Sequence, residues 1–188
     1  MPLRTKVKVG NITNLSDARY CAGMGVDLLG FPVGPGGLDP ARYKEIIDWV
    51  SGPEFILETH HLDHLDPASI TDHYPGHYIQ ISQSQIDWLT LSLQFILSLK
   101  ASEWSEVAPR IAGRSNIKFI ELTTDAPLDV LRAINREIPV LVHPRDLPID
   151  QVLSMPISGI ALDATVEERP GLKDYGNVAS VLESLEID

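Results

Sequence analysis

The 188-residue chain contains a single cysteine, Cys21, and one thiol can close neither an internal disulfide nor a CxxC metal site. A reducing compartment is the expected setting. Basic residues are also scarce: 15 Lys and Arg stand against 26 Asp and Glu, a formal net charge of −11. That balance opposes attraction to phosphate backbones and anionic membranes, so neither nucleic acid nor a membrane is expected as a partner. An anionic small substrate stays open, because a local cluster of donors can override the long-range field. No apolar run approaches the roughly 18 residues needed to cross a bilayer, and the opening MPLRTKVKVG lacks the apolar stretch of a signal peptide. A cytoplasmic protein is expected. No apolar run is followed by GxGxxG or by GxxxxGKS/T, and no linker or low-complexity segment divides the chain, so residues 1–188 read as one domain. With 44% hydrophobic and 22% charged residues the chain can bury an ordinary core.

What is present is an alternation. Short apolar runs rich in Val, Ile, Leu and Phe occupy residues 6–12, 27–33, 55–60, 78–82, 95–99, 118–123, 139–143 and 159–163. Such runs read as strands buried on both faces. Helical spacing appears between them. Tyr43, Ile46, Ile47 and Val50 repeat at i, i+3, i+4 and i+7 behind Asp39 as N-cap and Pro40 at the first helical position. Trp104, Val107, Ala108 and Ile111 repeat that pattern, as do Val178, Val181, Leu182 and Leu185, and Leu128, Leu131 and Ile134 form a shorter one. Asp66-Pro67 is a further cap signal, while residues 15–22, 86–93 and 149–153 carry weaker helical patterns. Trp49, Trp88 and Trp104 fall in these outer helices and are expected to pack against the strands; an exposed one would point to a subunit interface. Eight βα units predict a parallel sheet closed into a compact (β/α)8 TIM barrel. Because such barrels typically need ~250 residues, some helices must be short or missing. The third and seventh are where the shortening is expected.

The two ends of the chain carry a family signature. Lys6-Val-Lys-Val-Gly-Asn-Ile-Thr-Asn14, then Leu15-Ser-Asp-Ala18 and Gly25-Val-Asp-Leu-Leu-Gly-Phe31, resemble the opening of phosphoribosylanthranilate isomerase. Val166-Glu-Glu-Arg-Pro-Gly-Leu-Lys-Asp174 resembles the segment closing that family's eighth βα unit. Tyr78-Ile-Gln-Ile81, Phe119-Ile-Glu-Leu-Thr123 and Leu147-Pro-Ile-Asp-Gln-Val152 fall where its fourth and sixth strands and seventh helix lie. The resemblance implies a (β/α)8 barrel performing an Amadori aldose–ketose isomerisation of N-(5-phosphoribosyl)anthranilate in tryptophan biosynthesis, with no cofactor. That chemistry needs a general acid at the ring oxygen and a general base at C2. In the family the base is a cysteine on the first strand and the acid an aspartate on the sixth. By motif position these correspond to Gly10 and Glu121. Glycine has no titratable group, whereas Glu121 could protonate an oxygen if burial raised its pKa.

The family's phosphate loops have changed as well. A Gly-Gly pair after strand seven and a Ser-Gly pair after strand eight are replaced by His143-Pro-Arg-Asp-Leu147 and Asp163-Ala-Thr-Val166. Pro144 has no N–H to offer, Asp163 would repel a phosphate, and Arg145 could supply one compensating charge. After strand two, Gly34-Pro-Gly-Gly-Leu38 lacks the arginine that holds the anthranilate carboxylate in the family. The resemblance therefore implies a divergent member whose family reaction is lost or altered. Two classes of function follow. The first is an altered isomerase with Glu121 as acid and His60, His143 or Lys8 as replacement base. The second is a non-catalytic barrel binding a small molecule or a protein partner.

Strand-end positions make the site in this fold, so Asn11, Gln80, Arg145 and Asp163 are the expected ligand contacts. The ligand is a small molecule, a sugar phosphate among the candidates, and the assembly a monomer or homodimer. Lys8 shares Gly10's inward parity, and a structural ion pair with Asp163 or Glu58 is its competing reading. His60, His61 and His64 with Asp63 and Asp66 invite a metal reading, but a solvated loop with incidental histidines is the favoured one, and no metal is assigned. A site joining His60, Glu121 and His143 is the sharper version of that idea.

Overall fold

The structure is a computed structural model that describes residues 2–59, 62, 67–145, 147–164 and 176–187. Eight parallel strands close into a barrel in chain order: β1 Lys6–Gly10, β2 Leu28–Pro32, β3 Glu54–Glu58, β4 Tyr78–Ser82, β5 Phe95–Leu99, β6 Ile117–Leu122, β7 Val140–Val142 and β8 Gly159–Asp163. β1 completes the circle by pairing with both β2 and β8. Each apolar run of the sequence is one of these strands. Both faces of every run are covered, one by helices and one by the barrel interior, which is why the runs do not alternate with polar residues.

Around the barrel lie α1 Leu15–Gly23, α2 Pro40–Ile47, α3 Pro67–His73, α4 Trp104–Ile111, α5 Leu128–Glu137, α6 Ile149–Leu153 and α7 Gly176–Leu185. Local chemistry sets their starts. The Asp39 side chain accepts from Arg42 N–H at the head of α2, and Asn14 does the same for Asp17 N–H at the head of α1. The shortening falls in three units. α3 has seven residues and α6 five, and the fourth unit carries only a 3-10 segment, Gln83–Thr90, in place of the helix expected over 86–93. Gln85 explains the last: its side chain donates to the Thr59 and Leu62 carbonyls, tying this segment to the loop after β3.

The outer core lies between strands and helices, with Tyr43 of α2 in edge contact with Phe31 and Tyr74 at centroid distances of 5.3 and 5.5 Å. Trp88 and Trp104 pack against this core, but Trp49, just past α2, is 72% exposed. A separate cluster fills the barrel itself: Leu28, Ile56, Tyr78, Ile96, Phe119, Leu141 and Ala161, one from each of β2 to β8. These share one parity, so the residues two positions further along each strand also point inward, one step closer to the C-terminal mouth.

Candidate functional site at the barrel mouth

Two residues beyond the apolar plug, the inward positions become polar. They are Gly30, Glu58, Gln80, Ser98, Glu121, His143 and Asp163, joined by Lys8 from β1. Lys8 is almost fully buried; its Nζ donates to Glu121 Oε2 at 2.7 Å and lies 3.0 Å from Glu58 Oε1. The other Glu121 oxygen meets His143 Nε2 at 3.2 Å. His143 Nδ1 faces Asp163 Oδ2 at 3.9 Å. Gln80 Nε2 donates to Ser98 Oγ at 2.7 Å and to Glu121 Oε2 at 3.2 Å. Asn11 closes the ring of contacts from the β1 end. Its left-handed backbone, φ 56°, a conformation Asn tolerates, aims its N–H at Glu58 Oε2 (2.9 Å) and its Nδ2 at Asp163 Oδ1 (3.1 Å).

Charge states follow from these contacts. Burial pushes the Glu121 carboxyl up, but Lys8 and His143 together more than offset this and bring it down to about 2. Burial likewise disfavours the Lys8 ammonium, yet Glu121 and Glu58 hold its pKa well above the ordinary lysine value. Glu121 is thus ionised at neutral pH, the opposite of the raised carboxyl that a general acid requires. Lys8 is a fixed cation and is in no state to accept a proton.

Gly10 is the point of greatest departure from the cysteine-dependent site implied by the sequence resemblance. A Cβ built there would stand 2.5 Å from Glu58 Oε1 and 3.0 Å from Asp163 Oδ1. A Cβ at Gly30 would stand 2.2 Å from the same Glu58 oxygen. The two glycines therefore make room for the Glu58 carboxylate, and the place a first-strand side chain would take is already filled. The loop after β7 has its own occupation: Arg145, with φ 50°, donates to the Thr123 carbonyl and pairs with Asp125 at 3.4 Å.

Lys8, Asn11, Gln80, Glu121, His143, Arg145 and Asp163 all line one cavity of about 790 Å³ open at the C-terminal mouth. The structure thus brings together every expected site residue except His60, which lies outside the described residues, as do His61, Asp63, His64 and Asp66. Of the proposed His60, Glu121 and His143 site, only the contact between Glu121 and His143 is within view. Of the competing readings for Lys8, the Glu58 ion pair is present and Glu121 is a second partner; Asp163 instead meets Asn11 and His143. Sequence reasoning passed over Ser98, and took Glu58 only as an ion-pair candidate. A signal existed for both, since each is a polar residue at inward parity directly after a run of apolar ones.

No protein-family model matches the chain, and no curated protein does. Solved structures do. An N-(5'-phosphoribosyl)anthranilate isomerase from Pyrococcus furiosus aligns over 95% of this chain and 97% of its own, with a TM-score of 0.67 and 19% identity. The phosphoribosyl anthranilate isomerase from Thermotoga maritima aligns over 96% and 98%, with a TM-score of 0.72 and 16% identity. A citrate synthase variant aligns over 96% and 91%, with a TM-score of 0.62 and 11% identity. At these identities the likeness is one of fold, and the same barrel carries different chemistries among these neighbours.

Proposed function

We propose that this chain is a phosphoribosylanthranilate isomerase-like barrel whose mouth binds a small polar molecule and which no longer runs the isomerisation of those neighbours. The observation that carries this reading is the Glu58 carboxylate lying over Gly10, where the resemblance calls for a cysteine acting as the general base. Two further features support it: Glu121 is held ionised by Lys8, and the β7 loop offers Pro144 and a committed Arg145 in place of free backbone donors. The protein is placed in the cytoplasm as a monomer or homodimer. The exposed Trp49 is the natural centre of any subunit contact. Expression in cells lacking phosphoribosylanthranilate isomerase tests the central statement. Soluble protein that fails to restore growth without tryptophan is expected, and growth abolished by Glu121→Ala would overturn it.

The pairing of His143 with Glu121 favours a second reading, an altered acid–base enzyme. A carboxylate on one ring nitrogen orients the imidazole, and the other nitrogen, 3.9 Å from Asp163 Oδ2 at the cavity wall, is the one available for proton exchange. In that case Glu121 and Lys8 are positioning residues. For any substrate found to turn over, His143→Gln should lower the rate by about 10²- to 10⁴-fold. An unchanged rate removes this second reading.

A further inference from the structure

His143 and Asp163, from the neighbouring strands β7 and β8, both line the mouth cavity, with side chains 20% and 52% exposed. Their facing atoms do not match. Ionised Glu121 can only accept, so His143 Nε2 carries the proton in the 3.2 Å contact with Glu121 Oε1. In the neutral ring this leaves Nδ1 as a bare acceptor. It stands 3.9 Å from Asp163 Oδ2, itself an acceptor, and that separation is too long for a hydrogen bond whichever atom held a proton. Among the described residues no donor reaches either atom, whereas Asp163 Oδ1 has the Asn11 amide at 3.1 Å.

The surrounding cations oppose a second proton on the ring. Lys8 Nζ holds the other Glu121 oxygen at 2.7 Å and also lies near Asp163, since a Cβ at Gly10 would stand 3.2 Å from Lys8 Nζ and 3.0 Å from Asp163 Oδ1. Lys100 lines the same cavity from the end of β5 and forms no ion pair among the described residues, while Glu103 beside it accepts the Lys100 backbone N–H. Arg145, two positions beyond His143, pairs with Asp125. Of the carboxylates that pull the other way, Glu58 and Glu121 are already engaged by Lys8. With Lys8 this close, Asp163 is partly balanced, and a neutral donor suits it better than a further ammonium.

Resting on the small-molecule reading above, we infer that His143 Nδ1 and Asp163 Oδ2 form a paired acceptor for a neutral vicinal diol, one hydroxyl donating to each. Hydroxyls held on the same face of adjacent carbons point side by side, so one ligand meets both acceptors and both atoms keep their other partners. A ligand carboxylate cannot take this place, because it has no proton to donate and would be repelled by Asp163.

Titration of the full chain with the cyclic cis-diol anhydroerythritol, its trans isomer anhydrothreitol and the mono-alcohol hydroxytetrahydrofuran, followed by nitrogen NMR of the His143 ring, tests this. Near neutral pH the free ring should show Nε2 protonated and Nδ1 bare, and the cis-diol should shift the Nδ1 resonance. The mono-alcohol and the trans isomer should each bind at least about tenfold more weakly than the cis-diol. Asp163→Asn can turn an amide N–H toward Nδ1 and close the gap from within, so it should weaken the cis-diol by a similar factor while the contact between His143 and Glu121 persists. Four results would each overturn the inference and leave the small-molecule reading in place: a ring protonated on both nitrogens, equal binding of diol and mono-alcohol, cis-diol binding that survives Asp163→Asn, or no binding of the cis-diol. That reading fails separately, on rescue of the auxotroph.

Discussion

Two layers inside the same barrel, one step apart along the same strands, obey opposite rules. Leu28, Ile56, Tyr78, Ile96, Phe119, Leu141 and Ala161 form an apolar plug. Two residues on, the same strands present Gly30, Glu58, Gln80, Ser98, Glu121, His143 and Asp163. The plug is stabilised by close packing and removal of apolar area from water. The polar layer gives up that gain and must hold buried charges by mutual pairing, an arrangement that natural cores tolerate mainly where a site is needed. The contrast teaches that the lower layer supports the fold while the upper layer, at some cost to stability, gathers the polar groups on which the proposed ligand site rests.

The sharpest way to break the contrast is Lys8→Met. It leaves Glu58 and Glu121 buried without their shared cation, and a loss of about 3–5 kcal/mol is expected by chemical denaturation. A small effect would mean that the two carboxylates are not ionised together. The acid side gives the next largest effect. Because the Glu121 carboxyl sits near 2 when folded and at 4.5 otherwise, its contribution is present above about pH 4.5 and is lost as pH falls toward 2. Glu121→Gln should flatten the stability profile across that window, and a profile as steep as the parent's would contradict the assignment. Gly30→Ala should cost about 1–3 kcal/mol through its clash with Glu58, with most of that cost absent in a Glu58→Ala background. In the plug, Ile96→Val should cost only about 0.5–1.5 kcal/mol and leave ligand binding untouched.

Much of the architecture was legible in the residues, because it rests on short-range pattern. Apolar runs at 78–82, 95–99 and 159–163 coincide with β4, β5 and β8, and Asp39 caps α2 where its spacing predicts. The fourth helix was not legible. Gln85 spends its side chain on carbonyls more than twenty residues upstream, a contact that no local periodicity reports. Trp49 was read as packed and is exposed, since a residue two positions past a helix end can face either way.

For the site, inward parity nominated Lys8, strand-end position nominated Gln80, and motif position picked out Glu121 and marked Gly10 as a missing base. The amino-acid sequence by itself thus determined that eight βα units close into a barrel and which residue types reach its mouth. Only the tertiary structure decided how those groups behave. Lys8 and Glu121 lie 113 positions apart, and their 2.7 Å contact exists only once β1 and β6 stand across a closed barrel. That contact turns a prospective acid into a fixed carboxylate. The same closure brings Glu58 over Gly10 and leaves Gln80 Oε1 without a donor among the described residues. Charge coupling and burial depend on distances between strands, and no local pattern in a chain encodes those distances.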